Sequence, residues 1–130
     1  MKNIFRKGDR KTFKRKIVPE DQAIFHGELL HPVCSTFALA RDFEWSSRLF
    51  FLEMKDSDEE GVGTSLVIDH KGPAFVGEEL VVTATVEDAE GREFICSIEA
   101  RVGARVIATG KTGQKMLKKD RMKEIFRKPE

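Results

Sequence analysis

One glutamate, Glu44, stands in the sequence where a carboxylate is hard to accommodate. The run CSTFALARDFEWSSRLFFLEM, residues 34–54, has the length and the long apolar side chains that predict a helix. Successive steps of about 100° put Glu44 almost opposite a polar stripe of Asp42, Ser46 and Glu53. We expect that stripe to face solvent and Glu44 to face the interior. Because an interior carboxylate requires a partner, a proton or a chemical task, Glu44 is a candidate general base.

A simpler role for Glu44 stays open. Arg48 follows it at the i,i+4 spacing that favours a Glu-to-Arg ion pair on one helix. Such a pair would be structural and would require no catalysis.

A second titratable residue, His70, follows in a strand-like segment. Period-two alternation over residues 62–72 places on one face Thr64, Leu66, Ile68 and His70. A lone histidine beside Leu and Ile is more often a hydrogen-bonded core residue than a catalytic one. A glutamate and a histidine that face the same interior of a small domain favour an acid/base pair instead.

The composition indicates one small domain. The chain has 130 residues, 23 of them Lys or Arg and 22 Asp or Glu, and this length supports one core of ordinary size. It contains no apolar run of membrane-spanning length and no signal-peptide pattern near its start. We therefore expect a single domain over residues 1–130, in the cytoplasm and without a membrane partner. Cys34 and Cys96 lack C-x-x-C spacing and neighbouring His ligands, which predicts two reduced, mostly buried thiols and no metal site.

The charges are segregated along the chain. The first 19 and the last 30 residues are basic, and the middle is acidic. The one tryptophan, Trp45, lies in the apolar helix and the chain has no tyrosine, so we expect these ends to pair with the acidic middle and not with nucleic acid. In particular, the basic first strand, with Lys14 and Lys16, should lie beside the strand that contains Glu79 and Glu87.

The remaining elements are those that must position Glu44 and His70. Residues 11–19 predict a first strand, residues 20–33 an irregular lid, and residues 119–130 a short basic tail or helix. After the central helix, hairpin-type turns separate four strand patterns, over residues 62–72, 78–88, 92–102 and 105–117. This order predicts an α+β fold in which an antiparallel five-stranded sheet wraps around the long helix.

The motifs in these elements resemble the hotdog-fold thioesterases, and among them the fluoroacetyl-CoA thioesterase-like branch. The resemblance covers about residues 8–118. It rests on the spacing from Thr36 to Glu44 and Trp45, on GTSLVIDHKGPAFVGEELVVTATV (residues 63–86), and on EGREFICSIEARVGARVIATGK (residues 90–111). It implies a hotdog fold and a homodimer in which the strand after the helix pairs with its symmetry mate.

The resemblance also implies roles for individual residues. The implied catalytic set is Thr36, Glu44 and His70, with Gly63 lining the thioester site. Leu30 and Phe37 are the side chains we expect to contact the substrate; Leu30 lies in the lid, where the fluoroacetate-specific enzyme has an aromatic gate. The implied activity is hydrolysis of a small or medium acyl-CoA to the free acid and CoA, with no cofactor other than the CoA of the substrate.

Thr36 poses a geometric question. Eight residues of regular helix would separate it from Glu44 by about 12 Å along the axis, so we expect the helix to begin after Thr36. A role for Thr36 as the helix N-cap stays open.

Two other functions stay open on the sequence alone. A non-catalytic acyl-CoA-binding module would keep the fold and the pocket without an acid/base pair. A hotdog acyl-CoA hydratase would require an Asp/His arrangement such as N-x-x-H-x-D, which the sequence lacks.

Overall fold

The fold combines one long helix with a curved antiparallel sheet. The computed structural model describes residues 1–129. Its elements are β1 (Arg10–Lys16), a 3-10 turn (Pro19–Asp21), β2 (Gln22–Phe25), β3 (Glu28–Cys34), α1 (Thr36–Met54), β4 (Glu59–His70), β5 (Glu79–Asp88), β6 (Phe94–Val102), β7 (Arg105–Lys118) and α2 (Lys119–Ile125). The five-stranded sheet has the order β1-β5-β6-β7-β4, and β2 and β3 form a separate hairpin. This arrangement confirms the predicted α+β plan.

The start of α1 is set by an N-cap. Ser35 has extended backbone angles, and its side-chain oxygen accepts a hydrogen bond from the backbone N–H of Ala38 at 3.0 Å. This contact satisfies one of the N–H groups that a first helical turn leaves free. Thr36 is therefore the first helical residue and not the cap, and the helix begins at Thr36 and not after it. The Thr36 hydroxyl is left for another partner.

The face of α1 that the sheet covers differs from the one expected. Its largest fully buried side chains are Leu39, Phe43, Phe50 and Phe51. Asp42 and Ser46 are also buried, with exposed fractions of 5% and 0%. Glu44 and Phe37, in contrast, are exposed on the outer face. The prediction of a solvent-facing Asp42 and Ser46 with an interior Glu44 was therefore wrong for a single chain.

A buried ion-pair cluster explains how Asp42 is accommodated. Arg15 of β1 donates two hydrogen bonds to the Asp42 carboxylate, at 2.8 and 2.7 Å, and a third to Asp21 at 2.6 Å. Burial raises the pKa of Asp42, and the Arg15 guanidinium opposes that shift. Because Asp21 ends the 3-10 turn before β2, the cluster connects β1, α1 and the base of the β2–β3 hairpin.

The pairing of β1 with β5 confirms the predicted neighbourhood of basic and acidic strands. The two strands run antiparallel from Arg10 opposite Thr85 to Lys16 opposite Glu79. Opposite charges on facing strand positions stabilise such a pair modestly.

The lid is an ordered hairpin, so the prediction of an irregular segment was wrong. β2 and β3 are joined by His26 and Gly27, whose φ angles are +52° and +79°. Two consecutive residues in the left-handed region are typical of the tight turns that suit the strand twist of a hairpin. The turn carries histidine in place of the more usual asparagine or aspartate, so the hairpin signal was weak in the sequence.

β4 is an edge strand of the main sheet. It pairs with β7 on one side, and no strand within residues 1–129 pairs with its other side. Val67, in the second half of the strand, exposes 62% of its surface, and the neighbouring Leu66 exposes 38%. The register skips a residue between Gly63 and Ser65, which is a β-bulge at Thr64.

The C-terminal helix α2 and the two cysteines differ in their burial. Met122 of α2 is half-buried, whereas Ile125 and Phe126 are exposed. Neither α1 nor α2 is both long and apolar enough to cross a bilayer. Cys34 and Cys96 are free and buried, as predicted. Burial raises the pKa of Cys34 to about 11 and that of Cys96 to about 12.

Candidate functional site

Thr36 and His70 form a direct pair. The Thr36 hydroxyl lies 2.8 Å from Nδ1 of His70, which joins the first residue of α1 to the last residue of β4. His70 faces the helix side of the sheet, because it lies opposite the fully buried Ala108 in the register with β7. The expected strand face of His70 is thus confirmed. A hydrogen bond at Nδ1 fixes the ring orientation and leaves Nε2 free to exchange a proton.

The Glu44 carboxylate lies directly beside Gly63. A Cβ atom added at Gly63 would lie 3.2 Å from Oε1 of Glu44, so a glycine at this position leaves room for the carboxylate. Both residues line a cavity of about 290 Å³ between one side of α1 and the β4–β7 edge of the sheet. Other residues of its lining are Trp45, Ser65, Thr112 and Gln114.

Arg48 is not the partner of Glu44. Its guanidinium donates to both oxygens of Glu60, at 3.0 and 3.2 Å, and Lys55 donates to the same carboxylate at 2.9 Å. These hydrogen bonds lower the pKa of Glu60 to about 2. Within residues 1–129 the Glu44 carboxylate has neither a hydrogen bond nor an ion pair. The alternative of a structural Glu44–Arg48 pair is therefore wrong.

The two pairs lie apart within one chain. Thr36 and Glu44 are both in α1, and eight residues of helix separate them by about 12 Å along its axis. His70 is the last residue of β4 and Gly63 lies near the middle of the strand, and the seven residues of strand between them span roughly 20 Å. A single chain thus brings Thr36 to His70 and Glu44 to Gly63, but it does not bring Glu44 to His70.

The two residues expected to contact the substrate, Leu30 and Phe37, have exposed side chains. Phe37 follows Thr36 directly and exposes 77% of its surface, and Leu30 of β3 is also exposed. Neither lines the cavity beside Glu44. A larger cavity, about 670 Å³, lies on the opposite face of the sheet among Thr83, Glu99 and Lys111, and none of the candidate site residues lines it.

Sequence reasoning missed two polar residues of the Glu44 cavity. Thr112 and Gln114 of β7 are 2% and 7% exposed, and Oγ1 of Thr112 and Nε2 of Gln114 have no hydrogen-bond partner in the described part of the chain. Their strand alternation was visible in the sequence, but their position against Glu44 depends on the register between β4 and β7. No three His, Cys, Asp or Glu residues among residues 1–129 come together as a metal site.

The chain matches a known family over most of its length. Residues 17–120 match the family described as fluoroacetyl-CoA-specific thioesterase. Among curated proteins, none matches the chain.

Several solved structures share the fold. A hypothetical protein of Thermus thermophilus, a thioesterase superfamily member, is 27% identical with a TM-score of 0.89, over 94% of this chain and 90% of its own. The fluoroacetyl-CoA thioesterase FlK is 20% identical with a TM-score of 0.86, over 96% and 98% of the two chains. A hot-dog-like protein from Thermanaerovibrio acidaminovorans is 21% identical with a TM-score of 0.84, over 96% of each chain. These similarities confirm the predicted hotdog fold.

Proposed function

The chain belongs to the fluoroacetyl-CoA-specific thioesterase family, and from that premise we propose that it hydrolyses a small or medium acyl-CoA thioester to the free acid and CoA. The observation that carries the proposal is the presence of Thr36, His70 and Glu44 in two groups along α1 and β4. Thr36 contacts His70 at 2.8 Å, and Glu44 points into a small cavity opened by Gly63.

The chemistry of thioester hydrolysis assigns a role to each group. Glu44 takes a proton from a water molecule, and the oxygen of that water adds to the thioester carbonyl carbon. The tetrahedral intermediate then breaks its C–S bond, and the CoA thiolate accepts a proton from His70 or from the protonated Glu44. Backbone N–H groups at the start of α1 or near Gly63 stabilise the oxyanion. In a variant of this scheme Glu44 attacks the carbonyl carbon directly, and water hydrolyses the resulting anhydride.

The proposed active form is a homodimer with a shared site. The free edge of β4 and its exposed Leu66 and Val67 support antiparallel pairing of β4 with the same strand of a second copy. A two-fold axis near Leu66 and Val67 reverses the strand, so the Gly63 end of one copy approaches the His70 end of the other. Glu44 of one subunit then meets the Thr36–His70 pair of its partner, which joins the two halves of the site.

Release of free thiol from a panel of acyl-CoA esters tests this function. The panel should include acetyl-, propionyl-, butyryl-, hexanoyl- and fluoroacetyl-CoA, with the dimeric state of each preparation measured by light scattering. We expect turnover of the short esters well above their spontaneous hydrolysis. Hydrolysis no faster than in buffer for every ester would overturn the proposal.

One observation favours a second candidate, a non-catalytic acyl-CoA-binding module. Glu44 and His70 are apart in a single chain, so a protein that stays monomeric would keep the cavity but lack a complete acid/base set. In that case the same esters would bind without being consumed.

A further inference from the structure

The C-terminal helix α2 presents one face on which lysines and apolar side chains are mixed. Lys119, Met122, Lys123 and Phe126 follow one another at the i, i+3, i+4 and i+7 spacing of a single helix face. Together with Glu60 of β4 they line an open cleft of about 500 Å³. Phe126 exposes 63% of its surface, and Met122 is half-buried. The cleft therefore combines a partly aromatic apolar surface with two cations.

The two lysines of this cleft have no anionic partner among residues 1–129. The acidic residues of α2, Asp120 and Glu124, lie on the other side of the helix. Glu60 is already held by Arg48 and Lys55, so its charge is compensated. Like charges one helical turn apart repel each other and destabilise a helix. An anion bound in the cleft would relieve this repulsion.

The cleft is a neighbour of the Glu44 cavity. Glu60 comes three residues before Gly63 on β4, so roughly 10 Å of strand separates the cleft from the Glu44 carboxylate. Arg48 lines the Glu44 cavity, and its ion-pair partner Glu60 lines the cleft. A molecule held beside Glu44 by its reacting group therefore reaches α2 if the rest of it extends along the first half of β4.

An acyl-CoA thioester has this shape and this distribution of charge. Its pantetheine arm, when extended, is longer than the distance to the cleft, and it ends in a phosphorylated adenosine diphosphate. Ammonium groups bind phosphate through charge-assisted hydrogen bonds, and an adenine ring packs on an aromatic side chain. The cleft thus offers a matching group to each part of the nucleotide.

We propose that α2 binds the nucleotide end of the CoA substrate, with Lys119 and Lys123 on its phosphates and Phe126 against the adenine ring. This inference rests on the proposed thioesterase function and locates the part of the substrate that does not react. Most of α2 lies beyond residues 17–120, which match the family, so the site is assigned from residues of this chain alone. Contacts far from the reacting carbon are equally strong in the ground state and the transition state, so their loss raises KM and leaves kcat unchanged.

Two thioesters of the same acid measure this binding directly. Butyryl-CoA carries the nucleotide, and butyryl-pantetheine lacks it. In the double variant Lys119→Gln/Lys123→Gln we expect KM for butyryl-CoA to rise roughly 3- to 30-fold, the range for two exposed ion pairs, with kcat unchanged. KM for butyryl-pantetheine should stay the same. Arg121→Gln, which removes a cation paired with Glu124 on the other side of α2, should change neither KM.

Further variants separate binding from a structural role of α2. The double variant Lys119→Arg/Lys123→Arg keeps both charges and should keep KM for butyryl-CoA close to that of the unmodified protein. Because Lys119→Gln/Lys123→Gln removes two like charges, its Tm should be unchanged or slightly higher. An unchanged KM for butyryl-CoA in this variant, or an equal rise for both esters, would overturn the proposal. If Phe126→Ala shifts the protein to monomer without a selective rise of KM for butyryl-CoA, the face is a contact between subunits and the proposal is wrong.

The same reagents separate a failure of this inference from a failure of the proposed function. If the protein hydrolyses both butyryl esters with equal KM, the thioesterase function stands and the nucleotide site is wrong. If it hydrolyses neither ester, CoA itself is titrated by calorimetry. Binding that is weakened by Lys119→Gln/Lys123→Gln and not by Arg121→Gln would then support the site. No binding of CoA, or equal binding to all three proteins, would overturn it.

Discussion

At the scale of single residues, the most informative feature is a carboxylate without a partner. Glu44 lies beside Gly63 in a small cavity, while the nearest candidate for an ion pair on its own helix, Arg48, is held by Glu60. Because Glu44 is exposed in a single chain, solvent satisfies its charge without an ion pair. Its place beside Gly63 at the rim of the cavity is what supports the proposal that it acts on a bound molecule.

Replacement of Glu44 tests this distinction. Glu44→Gln keeps the shape of the side chain and removes its charge, so we expect thioester turnover to fall by at least ~10², a typical general-base contribution. Because Arg48 has its own partner, Tm should change little. Glu53→Gln, at an exposed carboxylate farther along α1 that pairs with Lys11 on the surface, should leave turnover unchanged and change Tm only slightly. A Glu44→Gln protein that is destabilised but fully active would contradict the catalytic role.

The sequence predicted single residues unevenly. The family spacing indicated Thr36 and His70 together, and the structure joins them at 2.8 Å. Helical periodicity correctly placed Glu44 and Asp42 on different faces of α1. The prediction that Glu44 is on the buried face was wrong, because Asp42 is the buried residue. A helical wheel shows only which side chains share a face; burial of Asp42 depends on Arg15, which comes from another strand and was not visible from the helix alone.

At the scale of elements, a cluster of Arg48, Lys55 and Glu60 holds α1 against β4. Arg48 of the helix and Lys55 just after it both donate to Glu60 near the start of β4. This cluster fixes the helix against the strand where the Glu44 cavity opens, so its stability bears on the geometry of the site.

The lowered pKa of Glu60 predicts how the stabilisation from these ion pairs changes with pH. The folded-state pKa of about 2 lies below that of an unfolded glutamate, so the unfolded chain takes up the proton first as pH falls. The stabilisation is therefore fully present above about pH 5 and is lost progressively toward pH 2. Glu60→Gln should lower Tm at pH 7, and its Tm should converge with that of the unmodified protein on acidification. Glu90→Gln serves as the exposed control, and a Tm difference for Glu60→Gln that is constant from pH 7 to 2 would contradict the assignment.

A second cluster, of Arg15, Asp21 and Asp42, holds the N-terminal half of the helix against β1. Arg15→Met would leave the carboxylates of Asp21 and Asp42 buried and without their shared cation. We expect the free energy of unfolding to fall by about 3–5 kcal/mol, as when one partner of a buried pair is removed. Arg10→Met, an exposed change on the same strand, should cost less than ~0.5 kcal/mol.

A double variant separates this electrostatic effect from lost packing. Adding Asp42→Asn to Arg15→Met removes one of the stranded charges and should restore part of the stability in urea denaturation. If the two changes are simply additive, or if Arg15→Met costs no more than Arg10→Met, the cluster does not act as a unit.

The elements themselves could largely be predicted, because their signals are local. Period-two patterns identified β1 and β4 to β7 within a few residues, and the charges of β1 and β5 correctly indicated their pairing. The lid hairpin was missed, since its turn uses His26 before Gly27 and its strand β3 contains Pro32. Both features weaken a strand signal without preventing the hairpin from forming.

At the scale of the whole molecule, one chain leaves one sheet edge unpaired and two groups of candidate site residues apart. β4 has a free side within residues 1–129, with Val67 exposed in its second half. The Thr36–His70 pair lies at the end of this strand, and Glu44 lies beside Gly63 near its middle. The helical spacing of Thr36 and Glu44 already indicated a separation of about 12 Å, but which residue of β4 each one approaches follows from the way α1 crosses β4 in three dimensions.

A dimer with shared sites makes a prediction that a single-chain site does not. Glu44→Gln and His70→Ala should each inactivate the protein when prepared alone. After co-refolding in equal amounts, half of the dimers should contain one chain of each kind. In such a dimer, the intact Glu44 of the His70→Ala chain meets the intact His70 of the Glu44→Gln chain, so one of its two sites is complete.

The mixture should therefore recover about a quarter of the unmodified activity, because half of the dimers carry one complete site out of two. If Glu44 and His70 acted within the same chain, every site in the mixture would lack one of them, and activity would stay at the level of the separate variants. Val67→Lys, which puts a charge on the free edge of β4, should shift the protein toward monomer and lower activity in parallel. Thiol release from the co-refolded mixture, with subunit exchange verified by mass spectrometry, distinguishes the two arrangements, and the absence of recovery in verified mixed dimers would rule out the shared site.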